Sequence, residues 1–194
     1  MRVAFLNNCS LVLSLAWRLI FCFREFVNSI DSMIGSRGRF SGVVVPMAAM
    51  AAVASLLSTI VYTRDYQSAV AGMLYVFGSF LLIYILMMLL LNFISRSDFF
   101  TDNPSLFCER AKTFVASMLF VHFDVRVVLA FFPSFSVARL FEFFVIYLSW
   151  TMTRWYMPVP RNRNAFGIGT GVIVLILVKS MPLVVRLCFP AMPI

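Results

Sequence analysis

The run from Val70 to Ile94 contains no charged residue and constrains the fold more than any other stretch of the sequence. A helix needs roughly 20 mainly apolar residues to cross the hydrocarbon core of a bilayer, and this run is long enough to cross with some tilt. Its apolar residues are continuous, whereas the strands of a membrane β-barrel alternate apolar and polar residues. The run therefore predicts a transmembrane helix.

The composition of the whole chain agrees with this prediction. Apolar residues make up 62% of the chain and charged residues 12%, and the mean hydropathy is +0.95. Soluble domains are about half apolar and about a quarter charged. A water-soluble globule of this composition would expose large apolar patches. We expect an all-α fold, a polytopic membrane helical bundle, with the lipid bilayer as its surroundings.

Five segments have the length and composition of membrane spans. The first contains small-x-x-x-small pairs, such as Ala48 with Ala52, which let helix backbones approach closely in lipid. The third contains Asp124 and Arg126 near its centre. An Asp or Arg there costs roughly 2.5–3.5 kcal/mol, so the pair offsets most of what the apolar neighbours return. We expect the third span to need protein partners to stay in the bilayer. The predicted spans are residues 43–62, 70–94, 114–132, 137–155 and 166–189.

Two segments outside the spans carry predictions of their own. Residues 1–41 are predicted to form an N-terminal cytoplasmic segment, ahead of a transmembrane domain at 42–194. Within the first segment, Leu11 to Phe26 is apolar at helical spacing but interrupted by charged residues, which predicts an interfacial helix lying on the membrane surface. A buried span there is the alternative. The polar stretch from Arg96 to Lys112 is predicted to be a loop with one surface turn.

Basic residues alternate between the two ends of the predicted bundle. The segment before the first span is basic, the next link contains only Arg64, and the turn at Phe132–Phe135 contains no Lys or Arg. Positive residues favour the cytoplasmic side. Five spans, with the N-terminus in the cytoplasm and the C-terminus outside, reproduce this alternation. The predicted cytoplasmic connectors carry Arg96, Arg110 and Lys112 in one case, and Arg154, Arg161 and Arg163 in the other.

Charged residues in or near the spans are candidate functional residues, because ionisable groups are costly in lipid. His122 and Arg126 share a helix face, whereas Asp124 needs a partner from another helix. The favoured interpretation is a structural network that locks the helices in register, and the alternative is a pathway for ions, protons or a polar substrate. The candidate intramembrane polar network comprises His122, Asp124, Arg126, Arg139, Glu142 and Lys179.

A second alternative concerns the arginines of this group. A short third helix ending at Pro133 would leave Arg126, Arg139 and Arg186 near the outer interface. There their long side chains would reach the headgroups and have no further role.

Motifs for catalysis or for metal binding are absent from the sequence. The four cysteines form no C-x-x-C pair, and His122 is the only histidine, so no metal site is expected. Gly167, Gly169 and Gly171 follow no strand, so they predict close helix packing and not dinucleotide binding. The basic residues lie between the apolar runs, which argues against a nucleic-acid surface. We therefore expect no enzyme activity, no cofactor and no nucleic-acid partner.

The layout resembles the YIP family, the Rab-GTPase-interacting membrane proteins and their bacterial relatives. The resemblance rests on three features. Trp17 to Phe26 leads by a polar connector to the helix start at Pro46, and Lys112-Thr113-Phe114 leads through a weak third span to Phe132-Pro133. The third feature is the turn from Tyr156 to Pro160 before the last helix. It implies a cytoplasmic N-terminal segment, five spans and a short exposed C-terminus. The aspartate-leucine-tyrosine-glycine-proline motif of the eukaryotic members is absent, which favours a bacterial relative in the inner (plasma) membrane.

The function implied by this resemblance is membrane organisation or partner binding. We expect a non-enzymatic scaffold, assembly or trafficking-type factor that binds another membrane protein or self-associates. The alternative is a small transporter or channel subunit that uses His122, Asp124 and Arg126. An intramembrane enzyme acting on lipid is the least favoured reading, because the sequence shows no nucleophile–base set.

Overall fold

Every regular element in the described part of the chain is a helix. The computed structural model describes residues 40–96, 101–130, 135–159 and 162–188, with five isolated positions nearer the N-terminus. Within these ranges there is no strand, and the all-α prediction is confirmed. The predicted interfacial helix from Leu11 to Phe26 lies almost entirely outside the described residues. A π-helical turn, Phe40–Val44, leads into α1 (Val45–Thr63), α2 (Tyr66–Ser95), α3 (Pro104–Ala130), α4 (Phe135–Trp155) and α5 (Arg163–Cys188).

Helices able to cross a bilayer lie at both ends of the described chain. By length and composition, three described segments qualify: Ser41–Thr63, Tyr66–Ser95 and Arg163–Leu187. Their exposed side chains are largely aliphatic, for example Leu57, Leu89 and Ile176. Lipid covers such a surface without cost, whereas water does not. The chain thus contains several helices that are long and apolar enough to span a membrane, as the sequence predicts.

The helix α3 lies at the centre of the bundle. It packs against α1, α2, α4 and α5. Every side chain from Thr113 to Phe123 is buried, and the Phe123 ring lies 6.0 Å from that of Phe80 in α2. A helix enclosed by protein does not need the continuous apolar surface that lipid demands. Enclosure by protein therefore accommodates the polar side chains of Thr113, Ser117 and His122 on this helix.

The start of α3 differs from the sequence prediction. The loop expected from Arg96 to Lys112 is wrong from Pro104 onward, because α3 begins there. The Asn103 side-chain oxygen accepts a hydrogen bond from the Leu106 amide at 3.1 Å, which caps the new helix. Proline in the first turn needs no amide partner and has a helical φ. The Asn-Pro pair is therefore a helix-start signal that outweighs the polar composition of the first two turns.

The helices α4 and α5 form an antiparallel hairpin with unusually close backbones. A Cβ atom placed on Gly167 would lie 2.8 Å from the Trp150 Cα, and one on Gly171 would lie 2.9 Å from the Ile146 Cα. Ser149 Oγ also donates a hydrogen bond to the Gly167 carbonyl at 2.6 Å. The prediction that these glycines serve helix packing is confirmed for Gly167 and Gly171. A Cβ on Gly169 would meet nothing within 4 Å among the described atoms.

Candidate functional site on the central helix

Polar side chains are enclosed in the middle of α3. Thr113, Ser117 and His122 are buried, and Asp124 is half-buried. With 3.6 residues per turn, Thr113, Ser117 and Asp124 lie along one face of the helix, whereas His122 lies on the opposite face. The sequence thus places polar groups on two sides of a helix that is surrounded by other helices.

His122 lies beside an aromatic side chain. Its ring lies 5.6 Å from the Phe123 ring in an edge-to-face arrangement, and its side chain is 7% exposed. Buried polar groups are costly unless their hydrogen-bonding atoms are matched by the surrounding protein. Such a group therefore favours one arrangement of the helices over alternatives that would leave it mismatched, which is how a polar residue fixes register.

The predicted six-residue network is described only in part. The side chains of Arg126, Arg139 and Glu142 lie outside the described atoms. Lys179 is exposed on α5. A network that joins His122 and Asp124 to these four residues therefore stays a prediction.

A second polar group joins α3 to the connector between α4 and α5. An Arg110 terminal nitrogen donates a hydrogen bond to the Tyr156 carbonyl at 2.7 Å, and the guanidinium lies 5.2 Å from the centre of the Tyr156 ring. Thr101 Oγ1 donates to the Pro158 carbonyl at 3.0 Å. These contacts hold the start of α3 against the connector that joins α4 to α5.

The sequence did not predict this contact between Arg110 and Tyr156, because Arg110 was expected to be one basic residue of a cytoplasmic loop. The planar guanidinium combines a directed hydrogen bond with stacking on an aromatic ring, which a lysine would not match. The available signal was the position of Tyr156 and Pro158 in a short turn rich in aromatic and proline residues. This composition indicates an ordered connector, but it does not identify the residue of α3 that contacts the connector.

The described residues offer no arrangement for a metal ion: within them, no group of three or more His, Cys, Asp or Glu residues is placed to hold one. Cys108 instead contacts α2, since its Sγ lies 3.3 Å from the Ser95 hydroxyl in hydrogen-bonding geometry. This contact adds a polar link between α2 and α3.

No family model, curated protein or solved structure matches this chain.

Proposed function

We propose that this chain is a non-enzymatic, five-span membrane protein that acts as a scaffold or assembly factor, the role implied by its resemblance to the YIP family. The observation that carries the proposal is the enclosure of α3. Its polar residues lie inside a helical bundle whose described outer surface is mainly aliphatic. Such a bundle suits lateral contacts within the membrane, and its enclosed polar groups suit the fixing of helix register.

The length and course of α3 support five spans. Near its start, the Phe107 ring lies 5.7 Å from that of Phe166 in the first turn of α5, and Phe123 reaches Phe80 in the middle of α2. At 1.5 Å per residue, Phe107 and Phe123 are about 24 Å apart along the axis, and the helix continues to Ala130. That length is comparable to a hydrocarbon core of about 30 Å. The helix α4 is 21 residues long, so it is long enough to return across the same layer.

The distribution of charge supports the orientation. Arg96, Arg154 and Arg163 are exposed at the bundle end that also carries the Thr101–Pro158 contact. By the positive-inside rule this end faces the cytoplasm. The proposal places the N-terminus on that side, the C-terminus outside, and the protein in a bacterial inner membrane.

A small transporter or channel subunit is the second candidate. The observation that favours it is Asp124, a half-buried carboxyl group inside a helical bundle. Ionisable groups at membrane depth commonly belong to ion or proton pathways. The scaffold interpretation is preferred because aromatic and aliphatic side chains enclose the preceding turns of α3.

Asp124→Asn distinguishes the two candidates, and Asp102→Asn provides a matched control at an exposed site. In the scaffold interpretation, the Asp124 carboxylate binds a partner from another helix, as the sequence predicts. Asp124→Asn then weakens the fold by about 1–3 kcal/mol, because that partner loses its charged acceptor. Thermal unfolding in mild detergent and recovery of co-purifying membrane partners measure this effect. Asp102→Asn is expected to change neither.

A flux assay in liposomes provides the decisive contrast. The scaffold proposal predicts no proton or ion flux above that of empty liposomes for the wild-type chain. Flux that Asp124→Asn abolishes, with unchanged thermal stability and partner recovery, would contradict the scaffold and assign the site to transport.

A further inference from the structure

A basic cleft opens where α4 and α5 meet at the proposed cytoplasmic end. It has a volume of about 590 Å³ and is lined by Arg154 from the end of α4 and by Asn162, Arg163, Asn164 and Ala165 from the start of α5. The volume is ample for a phosphate-containing headgroup, since small-molecule sites range from about 300 to 1,000 Å³. All of its side-chain charge is positive.

The two guanidinium groups lack a carboxylate among the described residues. The contact found for Arg154 is with the Trp150 ring, 5.8 Å from its centre. Arg163 uses its Nε to donate to the Val159 carbonyl at 2.5 Å, which leaves its two terminal nitrogens for other acceptors. Two arginines that line one cleft supply donors suited to the oxygens of a phosphate group. The positive end of the α5 dipole adds to the same field.

The walls of the cleft are fixed by hydrogen bonds. Trp150 Nε1 donates to Asn164 Oδ1 at 2.7 Å, which ties α4 to the first turn of α5. Asn162, with φ of 53°, provides the left-handed turn that starts α5. Because these wall residues are held in place, an anion would bind without the cost of ordering them.

Two exposed apolar side chains lie close in sequence to the residues that line the cleft. Trp155 follows Arg154 at the end of α4 and is 68% exposed. Ile168, one turn after Asn164 in α5, is 47% exposed. Trp side chains favour the boundary between hydrocarbon and headgroups. A molecule with a phosphate at the cleft would therefore lay its apolar part along the outside of α5. Free phosphate and nucleic acid lack such a part.

We propose that this cleft, formed by Arg154, Asn162, Arg163 and Asn164, binds the headgroup of an anionic phospholipid, whose acyl chains lie against Trp155 and Ile168. This inference goes beyond the scaffold role and does not depend on it. It requires only that α5 crosses the bilayer with its first turn at the headgroup level.

The test uses the fluorescence of Trp150 and Trp155, with Trp17→Phe in the full chain to remove the third tryptophan. The protein is placed in phosphatidylcholine nanodiscs that contain a minor fraction of phosphatidylglycerol with brominated chains, because bromine quenches indole at short range. The same fraction of brominated phosphatidylcholine gives the reference. The wild-type chain is expected to show stronger quenching by the anionic lipid.

Arg154→Gln is the main variant, because Arg154 is exposed and its described contact is with a ring and not with the backbone. It should lower the preference for the anionic lipid about five-fold, the effect of about one basic residue at an anionic surface. Arg163→Gln should do the same. Arg96→Gln, an equal charge change at the same end but outside the cleft, should leave the preference unchanged.

Three results would overturn the assignment. Equal quenching by the two brominated lipids would show that the cleft does not select anions. Equal losses in Arg154→Gln and Arg96→Gln would show a general surface charge effect. Release of the quenching by millimolar inorganic phosphate would assign the cleft to a free anion, whereas unchanged quenching supports a lipid.

Discussion

Asp65 determines where the second helix begins. Its side chain accepts hydrogen bonds from the Gln67 amide at 3.0 Å, from the Ser68 amide at 3.3 Å and from the Ser68 hydroxyl at 2.5 Å. Arg64 adopts a left-handed conformation with φ of 53° and ends α1 by donating its amide to the Ile60 carbonyl. These two residues reverse the chain between two long helices.

The hydrogen bonds from the Ser68 side chain and then from the Gln67 amide lower the pKa of Asp65 below its usual value of 3.8. A carboxyl group whose pKa is lower in the folded state stabilises the fold above its unfolded pKa, and this stabilisation is lost as the pH falls through the folded pKa. Asp65→Ala should lower the unfolding temperature at neutral pH, and the difference from wild type should shrink in strong acid. Thermal unfolding across pH measures this effect.

Asp102→Ala is the control for this pH dependence, because Asp102 is also an exposed aspartate near a helix start. It should leave the unfolding temperature near the wild-type value at neutral pH. A difference between Asp65→Ala and wild type that stays constant down to strong acid would contradict the capping role of the ionised carboxylate.

At the scale of elements, the α4–α5 hairpin depends on two glycines that face α4. Gly171→Ala would place a Cβ 2.9 Å from the Ile146 Cα, so backbone must move to accommodate it. Overpacking of this kind costs roughly 1–3 kcal/mol. We expect Gly171→Ala to lower the unfolding temperature in detergent, measured by the loss of helical circular dichroism.

Gly169→Ala is the matched control two residues away, where a new Cβ meets no described atom within 4 Å. Alanine favours a helix by about 0.8–1.0 kcal/mol over glycine, so Gly169→Ala should be neutral or stabilising. Similar destabilisation by both variants would show that the close approach at Gly171 does not hold the hairpin together.

The helices also differ in how well the sequence predicts them. Continuous apolar runs located α2 and the middle of α1 and α5, because lipid-facing helices must be apolar along their length. By the same criterion α3 is the weakest of the predicted spans, because the criterion measures suitability for contact with lipid, whereas the side chains from Thr113 to Phe123 contact protein. The Asn103-Pro104 pair is a helix-start signal that the sequence analysis did not use, because the polar residues that follow it favour a loop.

The sequence predicts which polar residues stand out in the candidate site, but it does not predict the contacts between helices. His122 and Asp124 stood out because polar residues are rare in apolar runs, and both lie on the central helix. The Arg110–Tyr156 contact and the cleft at Arg154 depend on which helix ends meet, and that follows from tertiary packing. Helical spacing shows which residues share a face of one helix, but it does not show which residue of another helix they contact.

In the whole molecule, three exposed arginines lie at the end of the bundle where α2 and α4 end and α3 and α5 begin. The exposed arginines Arg96, Arg154 and Arg163 lie there, as does the tie between Arg110 and Tyr156. The opposite end of the α1–α2 hairpin carries Arg64 and the Asp65 cap. The proposed orientation and the five-span count both require α3 and α4 to cross between these two ends.

The most direct test of this architecture is the labelling of single cysteines with a membrane-impermeant maleimide, in a chain whose four native cysteines are replaced. Gln67→Cys and Asp102→Cys report the two ends of α2, and Ser134→Cys reports the far end of α3. The account predicts that Gln67→Cys and Ser134→Cys are labelled in intact cells, whereas Asp102→Cys is labelled only after the cells are permeabilised. Labelling of Ser134→Cys only under the conditions that label Asp102→Cys would contradict the crossing of α3 and, with it, the five-span bundle.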